Sequence, residues 1–240
     1  MVVADPSAEL LRLITSAQDP APHHAGPVEQ ARAMLVRRRF ALALPPPFIG
    51  TPTGLEPVRI ATAHDGAAIA AVKWRTMGTS YRGVLSDGFL DNRDVVPPAS
   101  FWTGRAMVPP SRCHRLLVWG RPGSVFGYAD LGPVHPDDQS DTSAPPPDQQ
   151  TPTGEVYELY VDPAAQGHGG GTALLCAAHD WLAAAGFVRA ELSVLALNGP
   201  AQGFYRAHGW EPTGRVIPVD LGTVVFDEVR LARTLRGCSP

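Results

Sequence analysis

Four of the six residues in Gln166-Gly167-His168-Gly169-Gly170-Gly171 are glycine, and they lie between a run of β-formers and the start of a helix. Glycine brings bare backbone N–H groups close to a ligand, and a helix N-terminus adds about half a positive charge. Upstream, Glu155-Val-Tyr-Glu-Leu-Tyr-Val161 reads as a strand stopped by Asp162-Pro163. Downstream, Thr172 opens a helix whose Leu174, Ala178, Trp181, Leu182 and Ala185 recur at helical spacing up to Gly186. A pyrophosphate is the natural guest of such a loop. A tight turn that needs glycine only for close packing accounts for one of these residues more readily than for four.

The elements around the loop predict a mixed sheet with helices on its faces, in the α/β or α+β class. Val58 to Thr62 alternates as a strand, and Thr62 or His64 starts a helix carrying Ala68, Ile69, Val72 and Trp74. A second helical region spans Phe89 to Met107. Arg115–Trp119 and Val125–Leu131 form a hairpin about Gly120-Arg-Pro-Gly123. After the glycine loop come a strand at Arg189–Leu195, a helix capped by Asn198 with Pro200 in its first turn, and strands at Glu211–Val219 and Thr223–Ala232. Residues 1–56 form a separate block: two short helical segments and a Pro45-Pro46-Pro47 break, read as an accessory arm. The segment 135–153 reads as a flexible surface loop and 236–240 as a tail.

The chain has 240 residues, 44% of them apolar, so it can bury a core. A formal charge of −3 excludes a nucleic-acid surface built on bulk positive potential. Lys73 is the single lysine among 20 Lys and Arg residues, a bias we attribute to GC-rich coding. Cys113, Cys176 and Cys238 share no CxxC spacing, so neither a disulfide framework nor a zinc site is expected, and His23-His24 is not read as a metal site. Met1–Ser16 lacks the charge order and apolar run of a signal peptide, and no stretch reaches 18 uninterrupted apolar residues. A cytoplasmic, metal-free protein without a membrane partner is the expectation.

A P-loop would need a lysine after its second glycine, and there is none. A dinucleotide loop G-x-G-x-x-G is met at Gly167 and Gly169, but Thr172 replaces the third glycine. Glu191 lies about where a ribose-binding acid would, yet near the start of its strand rather than the tip. An NAD(P)-binding oxidoreductase is therefore the weaker reading.

Taken together, Leu159-Tyr160-Val161-Asp162-Pro163-x-x-Gln166-x-x-Gly169-x-Gly171, then Asn198, then Phe204-Tyr205-x-x-x-Gly209-Trp210 resembles the GNAT superfamily of acetyl-CoA-dependent N-acetyltransferases. The likeness covers about residues 57–235. It implies a mostly antiparallel sheet with helices on both faces and two strands, Glu155–Val161 and Arg189–Leu195, splayed apart to admit the pantetheine arm. The pyrophosphate of acetyl-CoA would lie on Gln166, Gly167, His168, Gly169, Gly170, Gly171 and Thr172. Pantetheine would pair with the backbone around Leu159, Tyr160 and Val161 and bond Asn198, which also reads as a plain helix N-cap. Homodimers are frequent in the family.

The resemblance also implies chemistry. An alkylamine of pKa about 10.4 is almost wholly protonated at pH 7, a handicap of roughly 4.6 kcal/mol that a carboxylate base relieves. Glu155 is favoured as that base because relatives often carry a glutamate there; Glu158 and Glu191 are the alternatives. The odd spacing of Glu155 and Glu158 puts them on opposite faces of a regular strand. Tyr205 matches the usual general acid that reprotonates the CoA thiolate, and it also reads as a core aromatic beside Phe204. Trp74, Tyr81 and Arg82, with Phe89 and Trp102 as further candidates, would form the pocket for a small-molecule or peptide amine, an arginine there suiting an acceptor with an acidic or polar group. The rival reading is a catalytically silent GNAT-like module that binds acyl-CoA for regulation.

Overall fold

The computed structural model describes residue 52 and residues 56–83, 85–92, 96–134, 151–220 and 225–235. The arm at 1–56, the loop at 135–153 and the tail at 236–240 therefore lie almost entirely outside the described residues.

Strand β1 (Val58–Ile60) leads into a 3-10 turn (Ala63–Asp65) and helix α1 (Gly66–Ser80). The turn forms because the Asp65 carboxylate accepts from both the backbone N–H and the hydroxyl of Thr62, at 2.8 and 2.9 Å, leaving the chain pre-bent for the helix. The expected second helical region resolves into α2 (Asp87–Leu90), capped by Ser86, and α3 (Ala99–Met107). Pro97 and Pro98 lie between them, and proline disfavours helix in the residue before it.

Strands β2 (Arg115–Arg121) and β3 (Ser124–Pro133) form the hairpin, with Gly120 and Gly123 at positive φ. They are followed by β4 (Thr153–Val161), a 3-10 turn (Pro163–Ala165), α4 (Gly170–Ala184), β5 (Arg189–Leu195), α5 (Gly199–Ala207), β6 (Glu211–Asp220) and β7 (Val225–Thr234). Among the described residues these strands form one sheet in the order β1-β2-β3-β4-β5-β7-β6. β4 and β5 run parallel and the other neighbours antiparallel.

The sheet has a core on each face. Ile69, Val72 and Trp102 of α1 and α3 pack on Leu116, Val118 and Tyr128. On the other face Leu174, Leu175, Ala178 and Leu182 of α4 meet Leu117, Trp119, Leu131, Val156, Leu192 and Leu231. β2 is consequently buried on both sides, which explains its unbroken Leu116-Leu-Val-Trp119. No helix of the described residues is long and apolar enough to cross a membrane.

Two features of α4 yield predictions. A Cβ on Gly170 would overlap the indole of Trp119, which is 1% exposed. Gly170→Ala should therefore lower stability by about 1–3 kcal/mol in chemical denaturation, the usual cost of overpacking a filled core. His179 stacks near Trp210 at 5.5 Å with its Nε2 buried and without a hydrogen-bond partner. Burial, with Arg233 and His208 nearby, pushes its imidazole down to about 4. The unfolded chain takes up this proton near pH 6.5 and the folded chain only near pH 4, so His179 erodes stability as pH falls across that window. His179→Phe should flatten the decline of Tm between pH 6.5 and 4.

Candidate active site

β4 and β5 pair at only three positions, Thr153↔Arg189, Gly154↔Ala190 and Glu155↔Glu191, and then diverge. Beyond Glu155 the gap opens into a groove of about 520 Å³ walled by β4, β5, the end of α1, the glycine loop and α5. The N–H of Asp162 donates to Phe126 O at 2.8 Å. Because hydrogen-bonding positions alternate in an antiparallel ladder, Tyr160 and Glu158 bond β3, while Leu159 and Val161 turn their N–H and C=O groups toward the groove. The Val161 carbonyl is taken by Thr76 Oγ1 and Gln166 Nε2, each at 3.2 Å, which ties α1 and the loop to the end of β4.

The glycines divide the work of the loop. Gly167 and Gly169 sit at φ +80° and +82°, with open space where a Cβ would be; this left-handed backbone is strained for other residues. Gly170 is the packing glycine against Trp119, so close packing does explain one of the four. Gly171 and Thr172 line the groove, and Thr172 Oγ1 also contacts His208 Nε2 at 3.1 Å. α4 begins at Gly170, two residues earlier than expected, so the first N–H groups of the helix border the groove. His168 turns outward, its Nδ1 at 2.9 Å from Gln166 O, and is not among the groove residues.

Asn198 caps α5, accepting from Ala201 N at 3.1 Å, and lies on the groove wall as well. Tyr205, 8% exposed, borders the groove and packs edge-on to Phe204. Burial raises its phenol above the ordinary tyrosine range, with Tyr81 adding to the effect, so the hydroxyl keeps its proton at neutral pH.

The carboxylates are arranged otherwise than expected. The register steps from Leu131↔Val156 to Asp130↔Glu158, so Tyr157 is an extra residue in β4, a bulge. The bulge resets the alternation. Val156, Leu159 and Val161 face the α4 core while Tyr160 packs on the α1/α3 core. Glu155 and Glu158 then share a face, which corrects the expectation from their spacing. Their surroundings differ. Glu155, 4% exposed, is ion-paired to Arg230 Nη1 at 2.6 Å, and Glu191 holds Arg230 Nε at 3.0 Å. Neither lines the groove. Glu158 does, held by Lys73 Nζ on one oxygen and the Tyr128 hydroxyl on the other.

Of the expected acceptor residues, Tyr81 borders the groove, and burial raises its phenol despite nearby Tyr160 and Asn198. The structure does not bring Trp74 or Arg82 there. Trp74 is half-buried on another side of α1, and Arg82 is exposed, paired with Asp87 and Asp91 at 2.8 Å each. Thr76 and Ser80 line the wall instead; their i and i+4 spacing on α1 was a signal the sequence carried. Glu228 of β7 also lines it, and nothing local in the sequence singles it out.

The arrangement invites comparison with known proteins. Residues 85–210, just over half of the chain, match the model of the acetyltransferase (GNAT) family. The chain is 48% identical over 60 residues to the mycothiol acetyltransferase of Beutenbergia cavernae, covering 25% of this chain and only 20% of that protein. It is 27% identical over 154 residues to the uncharacterized N-acetyltransferase YuaI of Bacillus subtilis, covering 64% and 79% of the two chains. The fold matches the PaiA N-acetyltransferase of Thermoplasma acidophilum in complex with coenzyme A, with a TM-score of 0.54, 15% identity and coverage of 74% and 98%. It also matches yncA of Salmonella typhimurium with its cofactor acetyl-CoA, with a TM-score of 0.51, 22% identity and coverage of 77% and 96%. The splayed strands, the glycine loop and the family match agree, and the chain belongs to the GNAT family of acetyltransferases.

Proposed function

We propose that this acetyltransferase moves the acetyl group of acetyl-CoA to a primary amine by direct attack within a ternary complex. The observation that carries the reading is the β4–β5 splay, with the Leu159 and Val161 backbone turned into a groove that ends on the glycine loop. Pantetheine would complete the sheet there as an added strand, and the pyrophosphate would rest on the N–H groups of Gly167–Thr172. An unused N–H of β4 would polarise the acetyl carbonyl.

The amine nitrogen attacks the thioester carbon, its proton passes to a carboxylate, and collapse of the adduct expels the CoA thiolate. Tyr205 O–H gives that thiolate its proton. We assign the base to Glu158 rather than Glu155, because Glu158 is the β4 carboxylate on the groove wall whereas Glu155 is committed to Arg230. A water between Glu158 and the amine would serve as well.

Charge narrows the acceptor. Glu158 and Glu228 are the charged side chains among the described residues of the groove. The nearby arginines 75, 82 and 105 are engaged by Asp162, by Asp87 and Asp91, and by Asp130. An amine without a carboxylate beside the reacting nitrogen fits this wall, in place of the acidic acceptor that Arg82 suggested.

Acetyl-CoA and CoA at 100 times Kd should each stabilise the full chain by about 2.7 kcal/mol in a thermal-shift titration, and NADH should not. Absence of a shift with both CoA species would sink the reading of the loop. In acetyl transfer to a panel of small amines, Tyr205→Phe and Glu158→Gln should each lower kcat on the order of 10²-fold or more while CoA binding persists. Glu155→Gln should instead show its cost in stability; a selective loss of kcat there would return the base to Glu155.

A further inference from the structure

The one lysine of the chain is not on the surface. Lys73 is 9% exposed on α1, one turn before Thr76 and two before Ser80 of the groove wall. Its ammonium lies 5.6 Å from the ring centroids of both Trp102 and Tyr160 and bonds Glu158 Oε1. A guanidinium is wider and planar, whereas a compact ammonium on a four-carbon stem fits between two rings.

The place needs a cation. Asp130 and Glu158 are direct cross-strand partners of β3 and β4, and like charges so placed repel. Asp130 has its own cation, Arg105, whose Nε lies 3.0 and 3.1 Å from its oxygens. Even so, burial, with the Glu158 charge adding to it, pushes Asp130 up to about 6. The remaining titratable groups facing Glu158 are Tyr128 and Tyr160, whose phenols lie well above the usual range, and Tyr81, which also feels Glu228. With Arg105 taken by Asp130, Lys73 is the cation that meets Glu158 among the described residues.

We propose that Lys73 is a positioning residue for acetyl transfer: its ammonium, seated between Trp102 and Tyr160, fixes the Glu158 carboxylate at the groove wall beside Asp130. The proposal rests on Glu158 being the base. Lys73 itself neither touches substrate nor accepts the acetyl group; it acts through Glu158.

A single lysine makes the test direct. In the full chain labelled with 13C-lysine, the lysine Cε–Hε signal belongs to Lys73 alone. Glu158→Gln should displace it, and an undisplaced signal overturns the contact. With the fastest amine of the panel as acceptor, Lys73→Met keeps an unbranched stem beside Trp102 and Tyr160 but removes the charge. It should lower kcat about 10- to 100-fold at neutral pH with little change in KM for acetyl-CoA. Lys73→Gln serves if the methionine variant does not fold. Unchanged kcat, with only Tm lowered, would make Lys73 a structural residue and overturn the proposal. If Glu158→Gln leaves kcat intact, the assignment of the base fails instead, and the two failures are told apart.

Discussion

Arg230 holds three strands together at the last step where β4 and β5 still pair. Its guanidinium reaches Glu155 of β4, Glu191 of β5 and Ser193 Oγ at 2.6, 3.0 and 3.1 Å. All three charged groups are buried, with exposures of 4% or less. Such a cluster survives burial only because each charge has a partner, and removing one member leaves the others uncompensated, at about 3–5 kcal/mol. The groove depends on this tie. Below it the parallel ladder is closed; above it the strands separate, and the β4 backbone is left for something other than β5 to pair with.

The second constraint is the bulge at Tyr157. One extra residue in β4 turns the segment beyond it, so that Leu159 and Val161 pack with the α4 core while Glu158 and Tyr160 meet α1 and α3. It thereby separates two glutamates three residues apart into different roles on one face. Glu155 closes the sheet under Arg230, and Glu158 stands at the opening among Tyr128, Lys73 and Asp130. The paired cations Arg105 and Lys73 allow two opposed carboxylates to persist in a largely buried place.

Much of this was legible beforehand. Asn198 with Pro200 announced α5, β5 was read at its observed limits, and the turn at Gly120–Gly123 announced the hairpin, because caps and turns are local chemistry. The glycine loop was equally plain. The structure uses two of the expected acceptor residues otherwise. Arg82 looked available for an acceptor, but Asp87 and Asp91 lie within reach of it and hold it outside the groove. Trp74 shares α1 with Thr76, yet the helix turns it to another side.

From its residues alone, this chain's order of strands and helices, its glycine loop and its likeness to acetyl-CoA-dependent enzymes could be read, since each rests on spacings of a few residues. The tertiary structure decided which glutamate faces the groove, where β4 and β5 part, and that the lone lysine lies against the candidate base. Those outcomes turn on a one-residue bulge and on ion pairs that span 85 residues from Lys73 to Glu158 and 75 from Glu155 to Arg230. No local pattern encodes them, because strand register and charge pairing are settled only when the sheet closes.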